Sequence, residues 1–503
     1  MHSARLTLLA LAASLAVASC GGGGGGNGFA FTPLPPAPAP APAPPAPPPA
    51  PEETRVQDSR NSFAPADPSA TTFAALAADA GDRVDNATTS RWAGMLGGAQ
   101  YHVEVPAAWN GKLVMYAHGY AGEGNVLSVT NPSIRRHLIQ EGYAWAASSY
   151  SKNFYDVRVG VEDTNALALE FNKIAKANGR ELAAPSQTYI TGHSMGGHIT
   201  AAAIEDEAFA TANHKVKYSG AVPMCGVLGD TELFDYFAGA QVTAQALAGL
   251  PKYPTPNWAD IMAQVTGTLF STFTTSPPNI VPTPTGIKYM TVVMNLTGGQ
   301  RPMFDIGFAR GGSFAAVWGV FGSDGTVTGI LNKNTLDTNR FTYTILGDAP
   351  GSASLNASVI KLTAVPDANR LRTDGLRWVP KNNGEFRIPV VSLHTLGDLY
   401  VPFSMEQIYQ KRVAAKGNSQ WLVQRAIRGI THCDFTVQEQ VEAFDAMVQW
   451  QQGGPKPAGD DVVTAATVAD SKYGCTFSRP LGTVDESPTS QATRPTAALA
   501  APC

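Results

Sequence analysis

Three observations predict an α/β fold: a mostly parallel sheet with helices on both faces. Strand-like apolar runs alternate with helix-like runs between Tyr101 and Met224. The pentapeptide Gly192-His193-Ser194-Met195-Gly196, a G-x-S-x-G, stands between a strand-like run and a small-residue helix-like run. The strand pattern breaks off after Met224 and returns over residues 388–393 and 421–425.

Residues 101–105 alternate like a half-buried strand. Residues 112–116 form a short apolar strand that runs into Ala117-His118-Gly119-Tyr120, and 134–142 read as a helix stopped by its glycine. Residues 143–147 are the next strand, and 161–177 a helix carrying Leu167, Leu169, Phe171, Ile174 and Ala175. Thr188-Tyr189-Ile190-Thr191 leads into the pentapeptide, the small-residue helix follows over 199–204, and residues 218–224 are another buried strand. Residues 231–385 are irregular, with a Pro/Thr-rich stretch and a Gly/aromatic stretch; so long and apolar a segment reads as an inserted cap rather than a linker. A last helix over 437–452 has Val437, Val441, Phe444 and Val448 on one face, a Thr436/Glu439 capping box, and Gly453-Gly454-Pro455 at its end.

The chain has 503 residues, is 44% hydrophobic and 15% charged, and carries a net charge of −4. Those values imply a sizeable buried core, and with no basic stripe they argue against nucleic acid as a partner. Arg5 followed by the apolar run Leu6 to Ala18 is too short for a spanning helix and reads as a targeting segment. It ends Val17-Ala18-Ser19-Cys20, which resembles the lipobox of bacterial lipoproteins, and the resemblance implies lipidation of Cys20. An ordinary secretory signal with an incidental cysteine is the alternative. Gly21 to Gly26 form a flexible leader, and the Pro/Ala tract from Thr32 to Glu52 is a polyproline stalk reaching about 60 Å at about 3.1 Å per residue. The expected organisation is a signal peptide over 1–19, leader and stalk over 20–60, and sheet-forming segments over 61–230 and 386–478. The cap spans 231–385 and a disordered tail 479–503. The expected location is the bacterial cell envelope, as an outer-membrane lipoprotein held to the membrane by its lipid anchor. Of the four remaining cysteines, Cys433 and Cys475 are the favoured disulfide, with free buried thiols as the alternative.

A serine hydroxyl needs a base to take its proton and an acid to orient that base. Ser194 lies where a strand-to-helix turn lifts the hydroxyl out of the sheet and aims helix N–H groups at the same spot. His432, in Gly429-Ile430-Thr431-His432-Cys433-Asp434, lies beyond the last strand and before the last helix. Asp398, in Leu396-Gly397-Asp398-Leu399-Tyr400, follows the strand over 388–393; a plain turn aspartate is the competing reading. His118, His193, His198 and His394 read as loop-tying or packing histidines, and Asp434 as a helix-start residue. No trio of histidines, cysteines and carboxylates has metal-ligand spacing, and no phosphate loop or dinucleotide fingerprint occurs, so neither metal nor cofactor is expected.

The order Ser194, Asp398, His432 resembles that of the α/β-hydrolase superfamily, with Gly397-Asp398 as its acid loop and His118-Gly119-Tyr120 as its oxyanion loop. The resemblance covers residues 100–230 and 386–455. It implies a catalytic triad of Ser194, His432 and Asp398, with the backbone N–H groups of Met195 and Tyr120 as oxyanion donors. The long insertion and the missing three-glycine oxyanion loop depart from many esterases and lipases. The implied activity is hydrolysis of a small-molecule or polymeric carboxylic ester. A peptidase using the same triad, or a surface-tethered binding protein without turnover, is the alternative. Phe308, Phe314, Trp318 and Phe321 are candidates for an acyl-group wall or for the cap's own core.

Overall fold

The computed structural model describes residues 62–320, 331 and 333–503. The targeting segment, Cys20, the stalk and Phe321 lie outside the described residues. Eight strands form the central sheet: β1 (Ser90–Leu96), β2 (Ala99–Val105), β3 (Lys112–Ala117), β4 (Ala144–Ser148), β5 (Gln187–His193), β6 (Gly220–Met224), β7 (Val390–Thr395) and β8 (Leu422–Ile427). Their order is β8-β7-β6-β5-β3-β4-β2-β1, with β2 antiparallel to both neighbours and every other pairing parallel. This is an α/β fold with the α/β-hydrolase arrangement of strands. β1 lies within a segment whose sequence is polar and small-residue rich, so the sheet begins earlier than the pattern near Tyr101 predicts. β1 is the sheet's edge and pairs on one side only, so it needs no continuous apolar run.

The helices cover both faces because successive strand residues point to opposite sides. Leu113, Met115, Ala146, Ile190 and Ala221 pack with helices α2 (Val157–Ala177) and α3 (Met195–Ala203). Val114, Trp145, Ala147, Tyr189, Val222 and Val391 pack on the other face with α1 (Arg135–Gln140) and α10 (Val437–Gln451). Asp156 caps α2 by accepting from the Val159 N–H, and the Thr436/Glu439 capping box opens α10.

Between β6 and β7 the chain builds a helical cap, with α4 (Glu232–Leu247), α5 (Trp258–Leu269), α6 (Pro284–Leu296), α7 (Phe304–Arg310) and α8 (Ala349–Ser358). Its sequence looks irregular because α4 is buried at every position from Leu233 to Gln245, which erases the one-sided period of a surface helix. Phe308, Phe314 and Trp318 belong to the cap's core: Trp318 packs against Trp258, Phe273 and Tyr289, and Phe308 stacks on Phe314. Helix α9 (Ser404–Ala415) clamps both roots of the cap through Arg412. That guanidinium pairs with Asp230 and Glu232 where the chain leaves the sheet, at 2.6 Å each, and donates to the Asn382 carbonyl at 3.0 Å where the chain returns. No helix among the described residues is long and apolar enough to cross a membrane.

The C-terminal residues correct the expectation of a disordered tail. They form α11 (Pro488–Ala500), and Cys475 is bonded to Cys503. Buried Arg494 pairs with Asp434 at 3.1 Å and with Glu439, and it donates to the Asp434 carbonyl at 2.6 Å. Ser490 donates to the Phe435 carbonyl at 2.9 Å. Asp434 is therefore a loop brace rather than a helix-start residue; Thr436 caps α10. Polar, small-residue composition hid this segment, because its anchorage is ionic and covalent rather than apolar. Replacing Arg494 with Ala leaves the buried Asp434 and Glu439 carboxylates without their cation. Breaking a buried pair from one side costs about 3–5 kcal/mol. Urea unfolding of Arg494→Ala is expected to show a loss of that order, and a change below about 1 kcal/mol, the scale of an exposed pair, would contradict the brace.

Candidate active site

Five adjacent strands deliver side chains to one edge of the sheet. Gly119 follows β3, Ser194 follows β5, Cys225 follows β6, Asp398 follows β7 and His432 follows β8. Ser194 occupies the turn between β5 and α3 at φ 58° and ψ −121°. That region of backbone space is costly for a residue with a side chain, by about 1–3 kcal/mol. The turn is held by the Ser194 N–H donating to the Met224 carbonyl at 3.0 Å and by the His198 N–H donating to the Ser194 carbonyl at 3.1 Å. The flanking glycines are sterically required. A Cβ on Gly192 would lie 2.6 Å from the Ala117 carbonyl oxygen, and one on Gly196 2.0 Å from it.

His432 Nε2 lies 2.8 Å from Ser194 Oγ, and His432 Nδ1 lies 2.5 Å from Asp398 Oδ2. Asp398 is fully buried, so its partners decide its role. Its Oδ1 accepts from the Tyr400 and Val401 N–H groups at 2.9 and 3.0 Å, which leaves Oδ2 for the imidazole. With Nδ1–H donating to the carboxylate, Nε2 is free to accept the Ser194 proton. The structure thus brings together the three side chains that the motif order picks out.

The resemblance implies oxyanion donors at Met195 and Tyr120. Met195 opens α3, so its N–H has no carbonyl one turn back within the helix. The loop bearing Tyr120 presses against the nucleophile: a Cβ on Gly119 would come within 3.2 Å of Ser194 Cβ and 3.8 Å of its Oγ. His118 ties this loop down, stacking on Tyr150 at 4.0 Å and donating from Nδ1 to the Gly119 carbonyl at 2.6 Å. Burial lowers its pKa. His193 bridges Tyr116 and Gln440. His198 donates to the Pro380 carbonyl at 2.7 Å and accepts from the Tyr155 hydroxyl at 2.8 Å. Burial pushes both down to about 4, so they are neutral at physiological pH.

The structure corrects the disulfide. Cys433 is bonded to Cys225, not to Cys475. Proximity along the chain favours Cys475, but β6 and β8 both flank β7 and bring residues 208 apart to the same sheet edge. The Cys225–Cys433 bridge ties the loop after β6 to the loop bearing His432, and the Ser194 N–H lies 3.3 Å from Cys225 Sγ.

A narrow pocket opens on Ser194, with a volume near 20 Å³, lined by Tyr120, Tyr155, Val227, Leu233, Phe234, Phe237, Tyr400 and Val401. That volume accommodates about one water. Its aromatic wall comes from Phe234 and Phe237 of α4, Tyr400 beside Asp398, Tyr120 after β3 and Tyr155 before α2, not from the Gly/aromatic stretch; Phe308, Phe314 and Trp318 do not line it. The sequence held one usable signal for this wall. Phe234 and Phe237 stand three apart, one helical face, immediately after the exit from the sheet.

No family model matches the chain. An o-phthalyl amidase from Xanthobacter agilis is 28% identical over 90 residues, which is 18% of this chain and 20% of that protein. The match therefore spans about a fifth of that relative's length. Among solved structures, feruloyl esterase B from Aspergillus oryzae superposes with TM-score 0.39 at 15% identity, covering 74% of this chain and 82% of that one. The closed state of Candida antarctica lipase A gives 0.34 at 13% identity, covering 80% and 84%. An acylaminoacyl peptidase from Pyrococcus horikoshii gives 0.36 at 10% identity, covering 75% and 43%.

Proposed function

We propose that this protein is a serine hydrolase that cleaves carboxylic esters through an acyl-enzyme. The observation that carries this reading is the Ser194–His432–Asp398 chain of contacts, 2.8 and 2.5 Å long, at a strand-to-helix turn beside an oxyanion-type loop. Ser194 Oγ attacks the ester carbonyl carbon while its proton passes to His432 Nε2. Asp398 offsets the imidazolium charge. The Met195 and Tyr120 N–H groups stabilise the oxyanion, a contribution of about 10²–10³ in rate for one such donor. The C–O bond to the alcohol then breaks, and the leaving oxygen takes the proton from Nε2. Water repeats the sequence: its proton goes to His432, its oxygen joins the acyl carbon, and Ser194 leaves with the proton returned. The aromatic pocket favours an apolar acyl group.

The same groups can cleave an amide, and the match to an amidase favours keeping that second reading. Ser194→Ala and His432→Ala are each expected to remove nearly all turnover, with the double variant little worse, because triad members act as a unit. A panel of p-nitrophenyl esters and aminoacyl anilides separates the two substrates. Retention of more than about a hundredth of the wild-type rate by Ser194→Ala would defeat the nucleophile assignment, since triad removal costs far more. Faster anilide than ester hydrolysis would replace esterase by amidase.

We propose in addition that the mature protein is an exported lipoprotein anchored through Cys20. Arg5, the apolar run, the Val17-Ala18-Ser19-Cys20 end, the glycine leader and the proline stalk each support that reading on separate grounds. Several acyl chains give stable anchoring where one does not. Wild-type protein is expected in the membrane fraction and released only by detergent, whereas Cys20→Ala is expected in the soluble fraction or unprocessed. Soluble wild-type protein with no lipid by mass would overturn the anchor.

A further inference from the structure

Behind Asp398 lies a buried histidine that the catalytic steps above do not use. His394, on β7, is fully buried. Its Nε2 donates to the Val401 carbonyl at 2.7 Å, which fixes the turn of the acid loop that carries Asp398. The same nitrogen lies 3.9 Å from Asp398 Oδ2. The opposite nitrogen, Nδ1, lies 3.4 Å from Glu406 Oε1, on α9, and neither atom has a hydrogen-bond partner. Glu406 is as buried as the histidine, and its other oxygen accepts from Ser392 Oγ at 2.7 Å and from the Gln424 amide. Two acceptor-only contacts of that kind suit an ionised carboxylate.

Two carboxylates therefore lie within 4 Å of one imidazole in a dry interior. Burying charge without compensation is costly. The other cation facing Asp398 is Arg301 of the cap, which donates to the Leu396 carbonyl at 2.7 Å and to Thr297 and Gly299. Burial lowers its pKa to about 10, so it stays charged at neutral pH. Tyr236, which donates to the Leu399 carbonyl at 2.7 Å, and Tyr400 face Asp398, while Tyr409 and Tyr473 lie on the Glu406 side; burial pushes all four phenols upward, so they are neutral. Arg301 gives its donors to carbonyl and hydroxyl oxygens, so it offsets the Asp398 charge only at a distance. A protonated His394, within 4 Å of both carboxylates, would offset them directly.

We propose that His394 is a positioning residue for the hydrolytic triad: protonated and paired with Glu406, it anchors the acid loop and places a positive charge behind Asp398, limiting the basicity of His432. The proposal rests on the serine-hydrolase reading above. The electrostatics point the same way: burial works against a charged His394, but the nearby Glu406 and Asp398 charges outweigh it and raise its pKa. The consequence has a definite sign. A positive charge behind Asp398 opposes protonation of His432, so removing it makes His432 easier to protonate and moves the acid limb of the rate profile to higher pH.

Two measurements test this on the intact protein. The first is kinetics of His394→Gln on a p-nitrophenyl ester. Glutamine can keep the donation to Val401 while dropping the charge. The acid limb of kcat/KM is expected to move up by about one pH unit, the scale of one nearby buried charge at an effective dielectric near 20. A lower kcat with an unmoved limb means that His394 only props the loop, which overturns the electrostatic role. The second is nuclear magnetic resonance of ¹⁵N-histidine-labelled protein, which needs neither turnover nor a folded His394 variant. One ring is expected to carry protons on both nitrogens at about pH 8, where ordinary histidines are neutral, and Glu406→Gln should convert it to a neutral tautomer. All rings neutral at that pH, or a charged ring indifferent to Glu406→Gln, overturns the proposal. Neither outcome bears on Ser194, whose role is decided by Ser194→Ala.

Discussion

The backbone of Ser194 is the constraint on which the rest depends. A residue with a side chain at φ 58° is tolerated only where its surroundings over-determine it. Here the Ala117 carbonyl closes in on Gly192 and Gly196, the Met224 carbonyl takes the Ser194 N–H, and Gly119 closes in from the loop after β3. Each of these contacts comes from a neighbouring parallel strand or the loop that follows it. The sheet order fixes where the hydroxyl points, and the hydroxyl's position in turn fixes where a base must stand.

His432 is held from three directions. Asp398 orients its ring, the Cys225–Cys433 bridge ties its loop to the strand beside Ser194, and Arg494 braces Asp434 from α11. The three devices are unequal in kind. The first is the hydrogen bond through which, in the proposed mechanism, Asp398 supports proton transfer. The second is covalent and passive. The third is a buried ion pair whose carboxylates are fully enclosed, so its loss is felt as uncompensated charge rather than as a missing contact. Arg412 plays the corresponding part for the cap, joining its two roots to one helix of the core.

Periodicity made the interior strands legible in the sequence, because parallel strands buried on both faces read as short apolar runs. The G-x-S-x-G motif marked the turn at Ser194, where glycine is sterically demanded, and the Thr436/Glu439 pair marked the capping box. Periodicity failed where burial is complete or where the anchoring is not apolar. Helix α4 is enclosed all round and shows no one-sided period, so Phe234 and Phe237 do not stand out as a pocket wall, and Phe308, Phe314 and Trp318, candidates for that wall or for the cap's core, are core. The edge strand β1 and the C-terminal helix are polar in composition and are held by pairing, by Arg494 and by the Cys475–Cys503 bond. The Cys225–Cys433 pairing depends on which strands are neighbours, which spacing along the chain does not reveal.

The central claim is that Ser194 is a nucleophile activated by His432, and covalent capture tests it most directly. Treating the protein with a fluorophosphonate and mapping the product by mass spectrometry is expected to give one adduct, on the peptide containing Ser194, and none in folded His432→Ala protein over the same period. A folded wild-type protein that forms no adduct, or forms it on another residue, would contradict the account.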